Sequence, residues 1–304
     1  MKRVLVLQGG GARGLMQMKF LARLEQQQGK KICDMFDLIC GTSVGAISAA
    51  ALASGVSANE FYGIFKNGLT KIFEPTWWNF GGLFKPKYDR SNFDKVWTEI
   101  FDKKKMLSSA ETDLMITSVD RVDDTNHYFR SWSPKYKDMT MLWAVKASFA
   151  APYYFGQLVD TLRRKIWFDG GVGIANMPID QAYTEVMKRG WMKKEKVVFT
   201  CIGTVLDKPK DSEKEFHKLK KQSLKGQIGD FVSLSDGGMA RKQSLKDQVS
   251  RYKILANVNK NLEFRYLDAF TKGALDDISD KYLELHDSAG VAMFELNKLK
   301  KWKW

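Results

Sequence analysis

A chain of 304 residues that is 44% hydrophobic and 12% aromatic has ample material for a packed core, which excludes a disordered or low-complexity protein. Its 49 Lys and Arg against 35 Asp and Glu leave a formal charge of +14, a balance that favours an anionic counterpart: membrane phospholipid, nucleic acid or a nucleotide ligand. Cys33, Cys40 and Cys201 lack metal-ligand spacing and read as buried reduced thiols, and no apolar run approaches the ~20 residues of a membrane span.

The first predicted element is the strand VLVL (4–7), which runs into Gln8, three glycines and Ala-Arg-Gly. Gln8 and the glycines cut the apolar run too short for a signal peptide, so a cytoplasmic protein is expected. Leu15, Met18, Leu21 and Leu24 recur at helical spacing until Gly29. FDLIC (36–40) reads as a strand, GTSVG (41–45) as a tight turn and AISAAALASG (46–55) as a helix. This alternation implies a parallel sheet with helices on its faces.

Ser57 with Glu60 and Ser91 with Asp94 resemble capping boxes opening two more helices. FEPTWWNFGGLFKPKY (73–88) between them reads as an inserted loop, with WWNFGGLF either entering a bilayer interface or folding onto the core. LMITSVD (114–120) and HYFRSW (127–132) are predicted strands, MLWAVKASF (141–149) a helix, and KIWF (165–168) and VVFTCIG (197–203) strands, the latter the final convincing one. From about 207 the texture turns Lys-rich with few β-formers, so residues 1–205 are expected to form the main domain and 206–304 a basic, mostly helical extension packed on it. QSLK recurs at 222–225 and 243–246, too short a match to make a repeat.

Gly41-Thr42-Ser43-Val44-Gly45 is GxSxG between a strand and a small-residue helix, a context in which side chains flanking the serine would clash as the chain doubles back. The adjoining helix N-terminus favours developing negative charge, which makes Ser43 a candidate nucleophile. A serine needs a base, either a histidine, which would make a Ser-His-Asp esterase, or another group; the histidines available, His127, His217 and His286, all look like ordinary surface residues. Asp169, followed by Gly170 and Gly171, stands at the end of a strand, where open α/β sheets place their sites, though Asp-Gly is also a common turn. Gly9, Gly11 and Gly14 satisfy GxGxxG as well, so a dinucleotide-binding turn is the competing reading, with Asp34 or Asp37 as its ribose-binding acid.

In combination these motifs resemble the patatin-like phospholipases, whose members carry a GGGxRG oxyanion loop, a GxSxG elbow and a later DGG aspartate in that order. Here they are GGGARG (9–14), GTSVG (41–45) and DGG (169–171). ASFAAP (147–152) is similar to the family's Ala-Ser-x-Ala-x-Pro segment, and Asn176 with Pro178 to its Asn-Pro follow-up; the likeness spans about residues 1–205. Gln8 departs from it, standing where many relatives have Asp, as does ANMP (175–178) in place of Asn-Asn-Pro. The resemblance implies a three-layer α/β/α fold with a mainly parallel sheet. It also implies a Ser43–Asp169 dyad without histidine, metal or cofactor, and an oxyanion hole drawn from Gly9, Gly10, Gly11, Ala12, Arg13 and Gly14, with Arg13 bracing the loop or adding charge. The implied substrate is a phospholipid or other acyl-ester lipid reached from the inner face of the membrane.

A basic extension suits an anionic activator such as the cyclic nucleotides that switch on some defence effectors of this family, and no nucleic-acid partner is expected. A second DGG, Asp236 to Gly238, lacks the strand and the Asn-Pro follow-up and reads as a turn. The tail KLKKWKW (298–304) suits anionic headgroups or a frayed helix end.

Overall fold

The computed structural model describes residues 1–74, 86–98, 100–173, 176–204, 238–269, 276–298 and 304. The aromatic stretch 77–84, His217, most of the basic stretch and the Asp236-Gly237 pair lie outside these residues.

β1 (Lys2–Leu7) alternates strictly: Leu5 and Leu7 enter one core, Val4 and Val6 the other. A strand apolar on both faces must be covered on both, as parallel strands are. α1 (Gly14–Gln28) stops at Gly29, whose φ of 63° is the left-handed cap a glycine supplies at no steric cost. A short α2 (Ile32–Met35) precedes β2 (Leu38–Gly41), and the alanine-rich α3 (Val44–Ala53) follows, wholly buried. α4 (Ala58–Ile72) starts as expected, with the Ser57 side chain accepting from Glu60 N–H. α5 (Arg90–Trp97) does not: its cap is Asp89, whose carboxylate accepts from Ser91 N–H at 2.8 Å, because the helix begins one residue before Ser91.

β3 (Asp113–Asp120), β4 (Thr125–Arg130), α6 (Met141–Ser148), β5 (Leu158–Asp160), β6 (Lys165–Asp169), α7 (Ile179–Lys188), α8 (Trp191–Lys194) and β7 (Val197–Ile202) complete the first two thirds. Strands β3, β2, β1, β7 and a further strand, β8 (Leu262–Leu267), form a parallel set, while β4 and β6 pair with β3 antiparallel and β5 pairs antiparallel with β6. One face packs α1, α3, α4, α5 and α6, and the other α7 and a later helix, giving three layers, α/β/α, as expected.

The C-terminal region corrects the sequence reading that finds no strand after 203. α9 (Gly238–Val258) leads into β8 (Leu262–Leu267), which pairs with β7 over six residues, and α10 (Asp280–Lys298) returns across the opposite face onto α1. Charged residues hid β8: Arg265 is buried but paired with Glu263, so the strand LEFRYL carries its own neutralisation. Trp304, the end of the basic tail, rests on the same region, with its ring 6.0 Å from Phe20 and the Arg265 guanidinium 5.1 Å from its centroid. At the ends of the inserted loop, Phe73 and Tyr88 are buried edge to face at 5.2 Å.

One feature of the sheet positions the site. At Met115 and Ile116, β3 is flanked by β2 and β4; at Ser118 to Asp120 it is flanked by β6 and β4. β4 therefore occupies one edge throughout, and β2 and β6 share the other, end to end. β2 runs parallel to β3 and stops opposite Ile116, while β6 runs antiparallel and stops at Asp169 opposite Ser118. The carboxyl ends of the two strands face each other across the single residue Thr117.

Candidate active site

Immediately after β2 the chain turns through Thr42 and Ser43 into α3. Ser43 has φ 55° and ψ −124°, a positive φ that side-chain-bearing residues rarely adopt and that persists only where the surroundings enforce it. The flanking glycines show how. A Cβ at Gly41 would collide with the carbonyl of Gly45, and one at Gly45 with the carbonyl of Leu7, because α3 begins directly against β1 and β2. Thr42 Oγ1 and Thr117 Oγ1 lie 2.7 Å apart, tying the elbow to the gap residue of β3.

The segment ASFAAP, for which sequence reasoning supplied only a likeness, holds both sides of the site. Ser43 N–H donates to Ser148 Oγ at 2.9 Å, and Asp169 N–H donates to the Ala150 carbonyl at 2.9 Å. Asp169 is buried, and its Oδ1 accepts from Gly171 N–H at 2.7 Å, so the two glycines behind it let the chain fold back onto its own carboxylate. Asn176 closes the ring: its carbonyl accepts from Gly9 N–H at 2.9 Å, and its Oδ1 lies 2.5 Å from where a Cβ at Gly9 would stand and 2.7 Å from where one at Gly171 would. A Cβ at Gly9 would also stand 3.1 Å from Ser43 Cβ, so the glycine loop, the elbow and the DGG turn meet at one point.

Within the loop 9–14 the amides divide. Gly9 N–H is committed to Asn176, Arg13 N–H to the Gly10 carbonyl at 3.2 Å, and Gly14 N–H to the carbonyls of Gly11 and Ala12. Among the described residues the amides of Gly10, Gly11 and Ala12 are not so engaged, and Gly11 turns at φ 58°. Gln8, the departure from the family pattern, acts as an acceptor: its Oε1 takes Thr204 N–H at 2.9 Å and its carbonyl takes Gln17 Nε2 at 3.1 Å, anchoring the loop to the end of β7. The guanidinium of Arg13 lies near His286 and disfavours its charged form, which fits a brace against α10.

Neither described histidine is the surface residue expected. His286 on α10 is fully buried, and burial, with Arg13 adding to it, lowers its pKa to about 4. His127 is half-buried on β4, across β3 from Asp169, with Nε2 2.9 Å from the Tyr136 hydroxyl and its ring against Phe129 and Trp167; burial lowers it to about 4 as well. Burial holds both imidazoles neutral, and His127 is engaged by the Tyr136 hydroxyl.

The dinucleotide reading also meets an obstacle. Asp37 accepts from Lys2 Nζ and Arg3 N–H, both at 2.8 Å, at the amino ends of the strands, opposite the glycine loop, and Asp34 lies in α2 before β2 as well. A ribose-binding acid belongs at the carboxyl end of β2, where this chain carries Ser43. All three cysteines are unpaired and buried, and burial pushes the Cys40 and Cys201 thiols far up, so they are inert packing groups.

Comparison with known proteins gives a concordant result. A family model described as patatin-like phospholipase matches residues 5–183. A cGAMP-activated phospholipase of Escherichia coli is 34% identical over 224 residues, covering 67% of this chain and 62% of that protein. Another of the same description from Vibrio cholerae is 31% identical over 196 residues, covering 58% and 55% respectively. The chain thus spans less than two thirds of the length of these relatives. Among solved structures, VipD from Legionella pneumophila aligns with 97% of this chain and 67% of its own at a TM-score of 0.44 and 13% identity.

Proposed function

This chain belongs to the patatin-like phospholipase family, and from that premise we propose that it is a serine lipid acyl hydrolase that cleaves fatty acyl esters of membrane phospholipids with Ser43 and Asp169. The observation that carries the reading is the end-to-end meeting of β2 and β6 on one edge of β3. Their last residues pair two positions apart on β3, about 7 Å at a strand's rise per residue, which leaves the serine after β2 and the aspartate ending β6 as neighbours.

In this scheme Ser43 Oγ attacks the ester carbonyl carbon while Asp169 takes the hydroxyl proton, and the carbonyl oxygen becomes an oxyanion held by the amides of Gly10, Gly11 and Ala12. Collapse expels the alcohol, which takes the proton back from Asp169 and leaves an acyl group on Ser43. Water, deprotonated by the same carboxylate, then attacks the acyl carbonyl, and collapse of the second oxyanion breaks the bond to Ser43 Oγ, which recovers the proton from Asp169 as the fatty acid leaves. No step requires a metal or a cofactor.

Among the described residues no helix is long and apolar enough to cross a membrane. The proposed place of action is the inner face of the membrane, reached from the cytoplasm as a peripheral protein. The relatives described as cGAMP-activated extend the proposal to regulation: an anionic cyclic nucleotide activates this chain too, complementary to its +14 charge.

The test is fluorophosphonate labelling together with phospholipid turnover, with and without cyclic dinucleotides. Ser43→Ala is expected to lose both labelling and turnover, and Asp169→Asn to lose turnover by roughly 10³-fold or more, the scale set by removing a catalytic group. Undiminished turnover in either variant would overturn the dyad, and equal turnover with and without the nucleotide would overturn the activation.

A further inference from the structure

We propose that Thr204, just past the end of β7, is a positioning residue for the oxyanion hole: its hydroxyl holds the Gly9–Gly10 peptide in the orientation that turns Gly10 N–H toward the ester. The inference rests on the acyl transfer proposed above. It names a group that acts through the glycine loop without touching the substrate.

The amides assigned to the oxyanion, those of Gly10, Gly11 and Ala12, belong to three consecutive peptide units. A trans peptide is planar and points its C=O and its N–H in opposite directions, so whatever grips the carbonyl also aims the amide. Two of the three units are gripped from within the loop. The Gly10 carbonyl accepts from Arg13 N–H at 3.2 Å, which aims Gly11 N–H, and the Gly11 carbonyl accepts from Gly14 N–H, which aims Ala12 N–H. The first unit is gripped from outside it. Its carbonyl, that of Gly9, accepts from Thr204 Oγ1 at 3.0 Å, across 195 residues of sequence.

The unit before these is closed on both sides, with the Gln8 carbonyl accepting from Gln17 Nε2 at 3.1 Å and Gly9 N–H donating to the Asn176 carbonyl at 2.9 Å. The Gly9–Gly10 unit is therefore where the loop's free amides begin. A run of glycines can turn a peptide over at little steric cost, because no side chain resists the change in backbone angles. Thr204 opposes that turn.

Thr204 is itself held firmly. It is buried, which shields its hydrogen bond from competing water, and its own N–H donates to Gln8 Oε1 at 2.9 Å. The preceding residue, Gly203, donates its N–H to the Leu267 carbonyl of β8 at 2.7 Å. The threonine side chain lies against Gly10: a Cβ added there would collide with Oγ1 and stand 2.6 Å from the threonine Cβ and 2.8 Å from Cγ2. Gly10 is thus the residue that lets Thr204 reach the Gly9 carbonyl, and the branched side chain has little rotamer freedom once seated. Donation to the carbonyl also polarises the peptide and strengthens its N–H as a donor, so the hydroxyl sharpens the pull on developing charge as well as its direction.

The test is hydrolysis of a water-soluble short-chain ester by the full chain, with a cyclic dinucleotide present and active sites counted by fluorophosphonate labelling taken to completion. Thr204→Val removes the donor and keeps the shape. It is expected to lower kcat roughly 10–100-fold at unchanged KM, a smaller loss than the ~10²–10³ of deleting an oxyanion donor outright. Inhibition by an alkyl trifluoromethyl ketone, whose tetrahedral adduct on Ser43 carries an oxyanion, should weaken by the same factor, which a loss of packing alone would not produce. Thr204→Ser and Thr204→Cys both lose the methyl group and differ in the strength of the donor. Ser is expected to keep most of the wild-type kcat and Cys to fall toward Val, a comparison that holds even where Val folds poorly. Equal kcat in the wild-type, Thr204→Cys and Thr204→Val chains would overturn the inference, as would a change confined to KM or a Thr204→Ser chain as slow as Thr204→Cys. Turnover that survives Ser43→Ala would instead overturn the catalytic reading on which the inference rests.

Discussion

At Ser43 the backbone holds a positive φ that α3 and β1 impose through their contact at Gly41 and Gly45, and the Ser148 hydroxyl stabilises it from below by accepting the serine's own amide. Ser148→Ala leaves that amide without its acceptor, a loss worth about 1–3 kcal/mol for a buried donor, so the fluorophosphonate labelling rate should fall roughly tenfold, with Ser148→Thr restoring most of it. Ser43, Asp169 and the glycine loop are each singled out by a local sequence motif, and the structure brings the three to one point. The support from Ser148, Ala150 and Asn176 was not legible in the sequence, since it comes from chain segments more than a hundred residues from the elbow and no pattern within ASFAAP or ANMP names the partner. The histidines misled for a related reason. Polar neighbours in sequence made His286 look exposed, whereas α10 turns it into the core against Arg13. Because burial holds both described imidazoles at a pKa of about 4, the unfolded chain binds protons below its ordinary value near 6.5 that the folded chain refuses. Stability is therefore full above pH 6.5 and falls as the pH drops toward 4, by at most about 1.4 kcal/mol per pH unit per imidazole and less for half-buried His127. Urea denaturation across that window should show this slope, and His286→Gln should flatten it.

Elements whose signals are internal matched the structure: β1, α1, β2, α3 and β3 fall where periodicity and turn residues put them. β8 did not, because its charged members Glu263 and Arg265 neutralise each other only once the strand is formed. The contact between α1 and α10 is equally illegible, although Gly290 marks it in the structure. A Cβ there would stand 2.6 Å from the Met16 carbonyl and 2.7 Å from Lys19 Cβ, so the two helices cross with backbone nearly against side chain. Gly290→Val should push α10 off α1, costing about 2 kcal/mol as an overpacked contact and lowering Tm by roughly 4 °C for a chain of this size. Calorimetry would check it; an unchanged Tm would mean that α10 is not held there.

Across the whole molecule, the C-terminal third gives the sheet its eighth strand and each face a helix. A chain ending at residue 205 would leave β7, buried along its whole length, as a bare apolar edge and uncover the α1 face that meets Phe294. Such a truncation should elute as soluble aggregate on size exclusion where the full chain runs as a defined species; a well-behaved fragment would show that residues 1–205 fold alone. The sharing of one β3 edge by β2 and β6 has a consequence in time. During synthesis the elbow can fold as soon as β1 to β3 emerge, but the carboxylate it needs arrives only with β6, and the loop's anchor at Thr204 only after β7. An unfinished chain therefore carries Ser43 without its neighbour Asp169 and a glycine loop without its anchor, so the site proposed above comes together only after residue 204 has left the ribosome.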